Sequence, residues 1–341
     1  MIRYTELKNT GRKNLREVIP LPKPFTVLVE PSSRCNFRCV QCFQSLGGDG
    51  YFEKNRMHMP LDRFRKTLDQ LRDWPGGKIK VLKLSLYGEP MLCPDFPEML
   101  KLARDADVAE RIETTSNASL LTPEIAAALV DNALDYLRVS VYAATPERYR
   151  EVTRSPCTPG RVRDHLQALR DAKRRAGAER PFVGVKMLDA YDEAENGRFR
   201  ALFGEVADEV FLDKPHGWIH VSGTDFVDRL YGEKAAAAAR DRAENSTRRV
   251  ACPMAFTTMA VRANGDVSPC CVDFVGGTNL ANMEDATLRD IWRSEAWYRF
   301  QALQLSGGKS ANSSCARCDI HLSDHYTRDN IDGFPVEKLR P

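Results

Sequence analysis

The chain has 341 residues, of which 43% are hydrophobic and 28% are charged, so it contains enough apolar material for a large globular core. Its 50 basic and 47 acidic residues nearly cancel and are interleaved along the sequence, which excludes the basic patch typical of nucleic-acid-binding proteins. No apolar run approaches the roughly 18 residues that cross a bilayer, and the N-terminus lacks the apolar stretch of a signal peptide. We therefore expect a cytoplasmic protein with no nucleic-acid or membrane partner.

Residues 25–213 alternate between short runs rich in Val, Ile and Thr and longer segments in which Leu and Ile recur with helical spacing. This alternation predicts six strands, at 25–30, 78–88, 111–116, 136–142, 181–188 and 209–213. It predicts helices between them, at 61–74, 95–106, 122–134, 159–177 and 193–207. Thr122 followed by Pro123 is typical of a helix N-cap with proline in the first turn.

Six strand–helix units indicate parallel strands joined by right-handed crossovers. They are too few for the usual closed eight-stranded barrel, so we predict an α/β fold based on a partial (β/α)6 TIM barrel. Functional residues in barrels of this kind lie on the loops after the carboxyl ends of the strands.

The composition changes after the last predicted strand, and the sequence predicts five segments. They are an N-terminal arm (1–24), the barrel (25–215), a connecting segment (216–251), a cysteine-bearing module (252–325) and a tail (326–341). The connecting segment includes an Ala-rich stretch, 233–244, that predicts a surface helix. In the module, Asn264-Gly265 predicts a hairpin turn and 287–304 predicts one helix.

The ten cysteines are the most informative feature, because structural disulfides are rare in the cytoplasm and metal or redox roles are commoner there. The stretch "EPSSRCNFRCVQCF" places Cys35, Cys39 and Cys42 on one loop after the first predicted strand. A structural zinc site commonly takes four ligands in two close pairs, whereas this loop supplies three. Three thiolates on a 4Fe–4S cluster leave one iron open to a small molecule.

The spacing Cys-x3-Cys-x2-Cys after the first barrel strand resembles the radical S-adenosylmethionine (SAM) superfamily. The resemblance implies that the open iron chelates the amino and carboxylate groups of SAM. One electron from the cluster then cleaves SAM to a 5′-deoxyadenosyl radical, which abstracts hydrogen from the substrate. It also implies a reducing partner such as flavodoxin or ferredoxin.

Two further segments resemble SAM-binding motifs of the superfamily. "LYGEP" (86–90) is similar to its Gly-Glu-Pro motif, in which Glu89 and the Gly88 backbone would bind the cationic amino group of SAM. "TTSNAS" (114–119) resembles the segment near the SAM ribose, which makes Ser116 and Asn117 candidate contacts.

The fourth strand resembles the superfamily's serine motif, which points to Ser140 as another SAM contact. One departure is Gln41, since an aromatic residue often precedes the third cysteine in this family. Phe37 and Phe43 are neighbouring aromatic residues that could face adenine or belong to the core, and we expect the core for each.

The second cysteine group contains Cys252, Cys270, Cys315 and Cys318. A four-thiolate zinc site is one interpretation of this spacing. The pattern also resembles the SPASM/twitch extension of radical SAM enzymes, in its shortened twitch form with one fully ligated auxiliary 4Fe–4S cluster. The spacing is similar to that of aminocyclitol-oxidising members from butirosin biosynthesis. The resemblance thus implies two 4Fe–4S clusters and SAM; the auxiliary cluster would accept an electron or be purely structural.

The remaining cysteines are Cys93, Cys157 and Cys271. We expect Cys93 and Cys157 to be buried packing residues. Cys271 adjoins Cys270, and adjacent side chains in extended chain point to opposite faces. It is therefore either a packing residue or a hydrogen donor to a substrate radical, which would give epimerisation.

The leading hypothesis is a radical SAM oxidoreductase that converts an alcohol to a ketone on a small hydroxyl-rich substrate, such as a sugar, aminocyclitol or aminoglycoside. Only about 24 residues precede the predicted barrel, which is short for a leader-peptide recognition domain. Alternatives are a radical epimerase, a peptide- or protein-modifying maturase, and a zinc-filled binding protein. Candidate substrate-facing or acid–base residues are Lys186, Asp189, Asp213, His216, Trp218, His220 and Asp273.

Overall fold

A computed structural model describes residues 13–45, 50–214, 232–233, 237, 249–318, 320–322 and 329–340. No helix among these residues is long and apolar enough to cross a membrane. The predicted helix at 233–244 lies almost wholly outside them.

All six predicted barrel strands are confirmed. They are β1 (Thr26–Val29), β2 (Ile79–Leu84), β3 (Ala109–Ser116), β4 (Tyr136–Ser140), β5 (Phe182–Leu188) and β6 (Glu209–Asp213). The C-terminal part adds β7 (Thr258–Val261), β8 (Asp266–Ser268) and β9 (Ala281–Asn282).

The helices of the barrel region lie between its strands. They are α1 (Tyr51–Lys54), α2 (Leu61–Asp73), α3 (Phe96–Ala106), α4 (Pro123–Asp131), α5 (Pro146–Thr153), α6 (Pro159–Ala176) and α7 (Glu193–Phe203). Those after residue 250 are α8 (Met254–Thr257), α9 (Leu288–Trp292) and α10 (Glu295–Leu305). The short 3-10 helices are Leu15–Glu17, Phe43–Ser45, Pro90–Leu92, Gly308–Ala311, Cys315–Arg317, Ile320–Leu322 and Val336–Leu339.

One nine-stranded sheet runs through the molecule in the order β6-β5-β4-β3-β2-β1-β7-β8-β9. Strands β1 to β6 pair in parallel with their sequence neighbours, as the partial barrel requires. Strand β7 pairs in parallel with the other edge of β1, with Thr26 opposite Thr258. The hairpin β7–β8 and strand β9 are antiparallel additions, so the C-terminal module continues the sheet of the barrel.

The two faces of the barrel strands differ in chemistry. Alternate residues such as Leu82, Leu137 and Val185 are buried against the surrounding helices in the main hydrophobic core. Because side chains alternate along a strand, the residues between them face inward. That inner face is charged, with Lys83 on β2, Glu113 on β3, Arg138 on β4, Lys186 on β5 and Asp213 on β6.

Local signals predicted the helix start at Thr122 and the hairpin turn correctly. The Thr122 hydroxyl accepts a hydrogen bond from the Ile125 amide at 3.3 Å, as an N-cap does. Gly265 has φ = 92°, and its amide donates to the Arg262 carbonyl at 2.9 Å. Glycine suits this position because its φ lies in the left-handed region.

The prediction of one helix over 287–304 is wrong. The structure divides it into α9 and α10, since Ser294 interrupts the helix and its hydroxyl accepts a hydrogen bond from the Trp297 amide at 3.1 Å. A serine that caps a following helix competes with continuation of the preceding one. The break lets Trp292 and Trp297 pack together, with ring centroids 4.8 Å apart.

The junction between β1 and β7 gives a test of how strongly the module is joined to the barrel. Val261 is fully buried, whereas Val250 is 43% exposed. Val261→Thr places an unpartnered hydroxyl inside the junction and should cost about 1–3 kcal/mol, whereas Val250→Thr should change stability by less than about 0.5 kcal/mol. Anaerobic thermal unfolding of the reconstituted protein measures both, and equal midpoints for the two variants would contradict a buried junction.

Candidate active site

The three-cysteine loop begins at the carboxyl end of β1 and is held by backbone hydrogen bonds to its surroundings. The amides of Arg38 and Val40 donate to the carbonyls of Thr153 and Val152 at the end of α5, at 3.0 and 2.9 Å. Within the loop, the Cys42 amide donates to the Cys39 carbonyl at 2.9 Å. These hydrogen bonds fix the loop to the barrel.

The three thiols share one buried environment. Burial, followed by the nearby charges of Glu89 and Cys42, raises the pKa of Cys35 to about 12. Burial and the proximity of Cys42 and Cys35 raise the pKa of Cys39 above its usual range, and burial does the same for Cys42. Neutral thiols in this setting become thiolates only with a positively charged guest, which fits metal ligation coupled to proton release.

Glu89 lies beside these thiols and is fully buried. Its carboxylate accepts hydrogen bonds from the Ser116 hydroxyl at 2.7 Å, the Asn117 amide at 2.8 Å and the Met91 amide at 3.1 Å. Burial raises the pKa of Glu89 to about 7, although these hydrogen bonds oppose the shift. Within the described residues it has no cationic partner, which fits the predicted ammonium ligand.

A second network joins the same loops through Asn36, which sequence reasoning missed. The Asn117 amide group donates to the Asn36 side-chain oxygen at 3.0 Å, and Asn36 donates to the Ser119 hydroxyl at 2.8 Å. The predicted SAM contacts Glu89, Ser116 and Asn117 are thus brought together with the cysteine loop. The only sequence signal for Asn36 was its position directly after Cys35.

Gly88 permits the close packing of these loops. A Cβ atom at Gly88 would lie 2.2 Å from the Ser32 carbonyl oxygen and 2.5 Å from that of Arg34. The neighbouring Glu89 amide donates to the same Arg34 carbonyl at 2.8 Å. Glycine is required here for backbone contact between the β2 loop and the cysteine loop.

The aromatic residues near the loop have different roles. Phe37 is buried in the core and contacts Tyr142 and Tyr149 edge-on. Phe43 stacks on Phe274 of the C-terminal module, with centroids 4.3 Å apart and planes 6° from parallel. Tyr142 is a residue that sequence reasoning did not single out; burial raises its pKa well above the usual range, and the nearby Cys39 thiol adds to the rise.

The second cysteine group lines one cavity in the C-terminal module. The cavity is lined by all four predicted ligands and by other polar side chains: Cys252, Cys270, Cys315, Cys318, Asp273, Thr278, Gln304, Lys309, Ser314 and His321. The Val272 amide donates to the Cys270 sulfur at 3.4 Å, and the Gln304 amide group donates to the Cys315 sulfur at 3.8 Å. Hydrogen bonds of this kind orient ligand sulfurs and tune iron–sulfur clusters.

The described residues contain no group of three or more Cys, His, Asp or Glu side chains that could hold a single metal ion. A zinc ion would need thiolate sulfurs about 2.3 Å from one point. The four cysteines line one cavity without this single-point geometry.

The three remaining cysteines separate into two types. Cys93 and Cys157 lie in the hydrophobic core, as predicted. Cys271 does not line the four-cysteine cavity that its neighbour Cys270 lines. Burial raises the pKa of Cys271, and the positive charges of Lys83 and Arg138 oppose that shift. The Cys271 thiol therefore lies within electrostatic range of the inner-face cations Lys83 and Arg138, and also of Cys252 and Cys270.

A buried arginine connects the two cysteine regions. Arg262, directly after β7, lies between the rings of Tyr51 and Tyr87, with its guanidinium carbon 4.8 and 4.9 Å from their centroids. It donates to the Asp273 carbonyl and lies 3.7 Å from the Asp273 carboxylate. Asp273 also lines the four-cysteine cavity, and Tyr87 directly precedes Gly88. The Arg262 side chain therefore joins the four-cysteine cavity to the loop that contains Gly88 and Glu89.

Of the candidate acid–base residues, Lys186 and Asp213 form a pair on the inner face, whereas Asp189 lies at the start of α7. Lys186 is buried on the inner face and pairs with Asp213 at 3.1 Å, while Ser140 is its register partner on β4. Burial and the nearby charge of Arg138 lower the pKa of Lys186 to about 8. Asp189 instead accepts from the Tyr191 amide and the Asn196 side chain at the start of α7.

Four predicted substrate-facing or acid–base candidates remain, of which the structure describes one. Asp273 belongs to the arginine network, where its carboxylate accepts from Thr278 and Ser314, so it is committed to structure. His216, Trp218 and His220 lie outside the described residues.

Comparison with models of known protein families identifies the class of protein to which this fold and its two cysteine groups belong. Residues 29–184 match the model of the Radical SAM superfamily, and residues 252–319 match SPASM, an iron-sulfur cluster-binding domain. The chain therefore belongs to the radical SAM superfamily and carries a C-terminal SPASM domain. These domains imply SAM and iron–sulfur clusters as its cofactors.

Three proteins similar to this chain differ in what their names say they modify or bind. The tungsten-containing aldehyde ferredoxin oxidoreductase cofactor-modifying protein of Pyrococcus furiosus is 25% identical over 308 residues, 80% of this chain and 82% of that protein. BtrN in complex with AdoMet and 2-DOIA shares 18% identity and a TM-score of 0.53, covering 87% of this chain and 93% of BtrN. Streptococcus suis SuiB bound to precursor peptide SuiA shares 16% identity and a TM-score of 0.60, covering 90% of this chain and 72% of SuiB. The two solved structures show the common fold.

The close contact at Gly88 should be needed for cluster assembly. Gly88→Ala forces the β2 loop away from the cysteine loop, so we expect a lower thermal midpoint and reduced iron content. Gly197→Ala is the matched control, because a Cβ atom there meets nothing within 4 Å and lies in helix α7. That control should keep its iron and gain up to about 1 kcal/mol of stability. Full iron loading of Gly88→Ala would contradict this role of the contact.

The adjacent cysteines allow the ligand assignment to be tested directly. If Cys270 binds an auxiliary cluster and Cys271 does not, Cys270→Ala should lower the iron content from about eight to about four atoms per chain. Cys271→Ala should retain the full content. Iron and sulfide analysis of anaerobically reconstituted protein measures both, and an equal loss in the two variants would refute the assignment.

Proposed function

We propose that this protein is a radical SAM oxidoreductase that oxidises an alcohol carbon of a small hydroxyl-rich substrate to a ketone. The observation that carries this proposal is that Cys270 lines the four-cysteine cavity, whereas the adjacent Cys271 does not and lies within electrostatic range of the inner-face cations Lys83 and Arg138. A substrate on that face would lie next to both the SAM-binding loops and the auxiliary site. When bound, SAM and two 4Fe–4S clusters supply the hydrogen-abstracting radical and an acceptor for the second electron.

Residues of the chain would hold the cofactors and accept the proton that the reaction releases. Cys35, Cys39 and Cys42 would hold the first cluster, while Gly88, Glu89, Ser116, Asn117 and Ser140 would bind SAM. Alcohol oxidation also releases the hydroxyl proton, and the Lys186–Asp213 pair is the candidate acceptor. With a pKa of about 8, Lys186 is partly neutral near neutral pH and can take up a proton.

The fold similarity to BtrN, which binds AdoMet and 2-DOIA, supports a small polar substrate. The charged inner face supports the same choice, because polar side chains in a pocket recognise polar ligands. A flavodoxin or ferredoxin would serve as the reducing partner. The relatives that modify a cofactor or bind a precursor peptide define the competing maturase hypothesis.

Epimerisation is a second candidate, favoured by the position of Cys271. Its thiol does not line the four-cysteine cavity and lies within electrostatic range of Lys83 and Arg138. A thiol there could return a hydrogen atom to the substrate radical from the face opposite to abstraction. This transfer would leave a Cys271 thiyl radical, and one electron from the flavodoxin or ferredoxin partner and one proton would restore the thiol. The product would then be an inverted alcohol rather than a ketone.

Anaerobic turnover in D2O with sugars and aminocyclitols distinguishes these reactions. Oxidation should give a carbonyl product with 5′-deoxyadenosine, and Cys271→Ala should leave this product unchanged. Epimerisation should give an inverted alcohol that contains deuterium, because the Cys271 thiol exchanges with solvent, and Cys271→Ala should abolish it. Reduced, fully loaded protein that never cleaves SAM would refute both reactions.

A further inference from the structure

Arg138 is a charged residue of the inner face of the barrel that the proposed chemistry does not use. Arg138 lies in the middle of β4, opposite Gly184 on β5 and two residues before Ser140. Its Nε atom is buried and has no hydrogen-bond partner. Among the described residues, no carboxylate forms an ion pair with its guanidinium.

The cations on the neighbouring strands do not share this property. Lys186 pairs with Asp213 at 3.1 Å, and Arg111 pairs with Glu113 at 3.4 Å. Glu113 and Glu209 lie near the same Tyr136 hydroxyl as Arg138. Within the described residues, however, neither carboxylate forms a contact ion pair with the Arg138 guanidinium, so its hydrogen-bonding groups remain available to a ligand.

Two positively charged side chains and a thiol also lie near Arg138. Its charge lowers the pKa of Lys186 and opposes the burial-induced rise in the pKa of Cys271, so the guanidinium lies near both side chains. Lys83 acts on Cys271 in the same direction. Below Arg138, the Tyr136 ring packs over Gly184, where a Cβ atom would lie 2.3 Å from the tyrosine oxygen. The ring closes the face beneath the guanidinium.

We propose that the substrate carries an anionic oxygen group, a carboxylate or a phosphate, and that Arg138 binds it. A partly buried guanidinium without a counterion is unfavourable in the free protein, and an oxyanion would compensate it through two parallel hydrogen bonds. This inference rests on the proposed function for the position of the substrate. It adds a recognition group to a substrate class defined so far only by its hydroxyl groups.

The proposal also predicts that replacing Arg138 has opposite effects on the stability of the protein without anions and on anion binding. An arginine retained for structure would stabilise the empty protein, whereas an arginine retained for a ligand destabilises it. Arg138→Gln should therefore keep or raise the thermal midpoint of the cofactor-loaded protein in the absence of anions. It should also remove the rise in midpoint that anions produce in the wild type.

The test is isothermal titration of the cofactor-loaded protein, in the presence of SAM, with inorganic phosphate and separately with malonate at constant ionic strength. The wild type should bind at least one probe, and Arg138→Gln should bind it about tenfold or more weakly. Arg138→Lys should recover part of the affinity, because lysine keeps the charge but not the paired donors. Arg200→Gln, on the exposed surface of α7, should bind like the wild type. Tighter binding of phosphate points to a phosphorylated substrate, and tighter binding of malonate to a carboxylic acid.

The inference is overturned if the wild type binds neither probe, if Arg138→Gln retains the affinity, or if Arg138→Gln lowers the thermal midpoint. Its failure is separate from failure of the proposed function. Turnover of a neutral polyol without anion binding would refute the anionic group and keep the oxidoreductase. Anion binding without oxidation or epimerisation would keep the site and refute the reaction.

Discussion

The buried ion pair between Arg262 and Asp273 is the interaction on which the arrangement of the site depends. Arg262 follows the strand that attaches the C-terminal module to β1, and Asp273 follows the two adjacent cysteines. Its guanidinium also packs between Tyr51 and Tyr87, and Tyr87 leads directly into the Gly88-Glu89 turn. Removing one partner from such a buried pair is more damaging than replacing both, because an uncompensated charge remains. The pair therefore fixes the two cysteine regions relative to each other.

Glu30 extends this network toward the first cysteine loop. It is buried at the end of β1, and its carboxylate accepts from the Tyr87 amide at 3.2 Å and the Ala263 amide at 3.0 Å. The stacked pair Phe43 and Phe274 reinforces the same connection with apolar contact. Polar and aromatic contacts thus join the residue after Cys42 to the loop after Cys271. The SAM-binding region and the auxiliary region form one continuous structure.

The sequence was sufficient to predict what depends on local pattern. Strand and helix periodicity located the six barrel strands, and cysteine spacing identified both groups of candidate ligands. Helix α5 was missed, because "PERYREVT" has few apolar residues and was interpreted only as part of a strand motif. The break at Ser294 was missed because a capping serine within a helical pattern resembles an ordinary surface residue.

Other features could not be predicted because they depend on contacts between distant segments. Nothing local indicates that Thr258–Val261 pairs with β1, or that Arg262 lies between Tyr51 and Tyr87. Arg138 is similar, since a charged residue in a strand usually indicates a solvent-facing position. Its inward position follows from the alternation of side chains along β4, in which Leu137 and Val139 face the helices. That no carboxylate among the described residues forms an ion pair with it is visible only after folding.

The pairing of β1 has a consequence for how the chain reaches its native state. Strand β1 is made first during synthesis, yet its partner β7 lies about 230 residues further along the chain. Until β7 is added, the backbone amides and carbonyls on one edge of an apolar strand lack their final partners. The barrel half should therefore remain vulnerable to misassociation until late in translation. Assembly of the first cysteine site would then wait for synthesis of β7 rather than only for completion of strands β1 to β6.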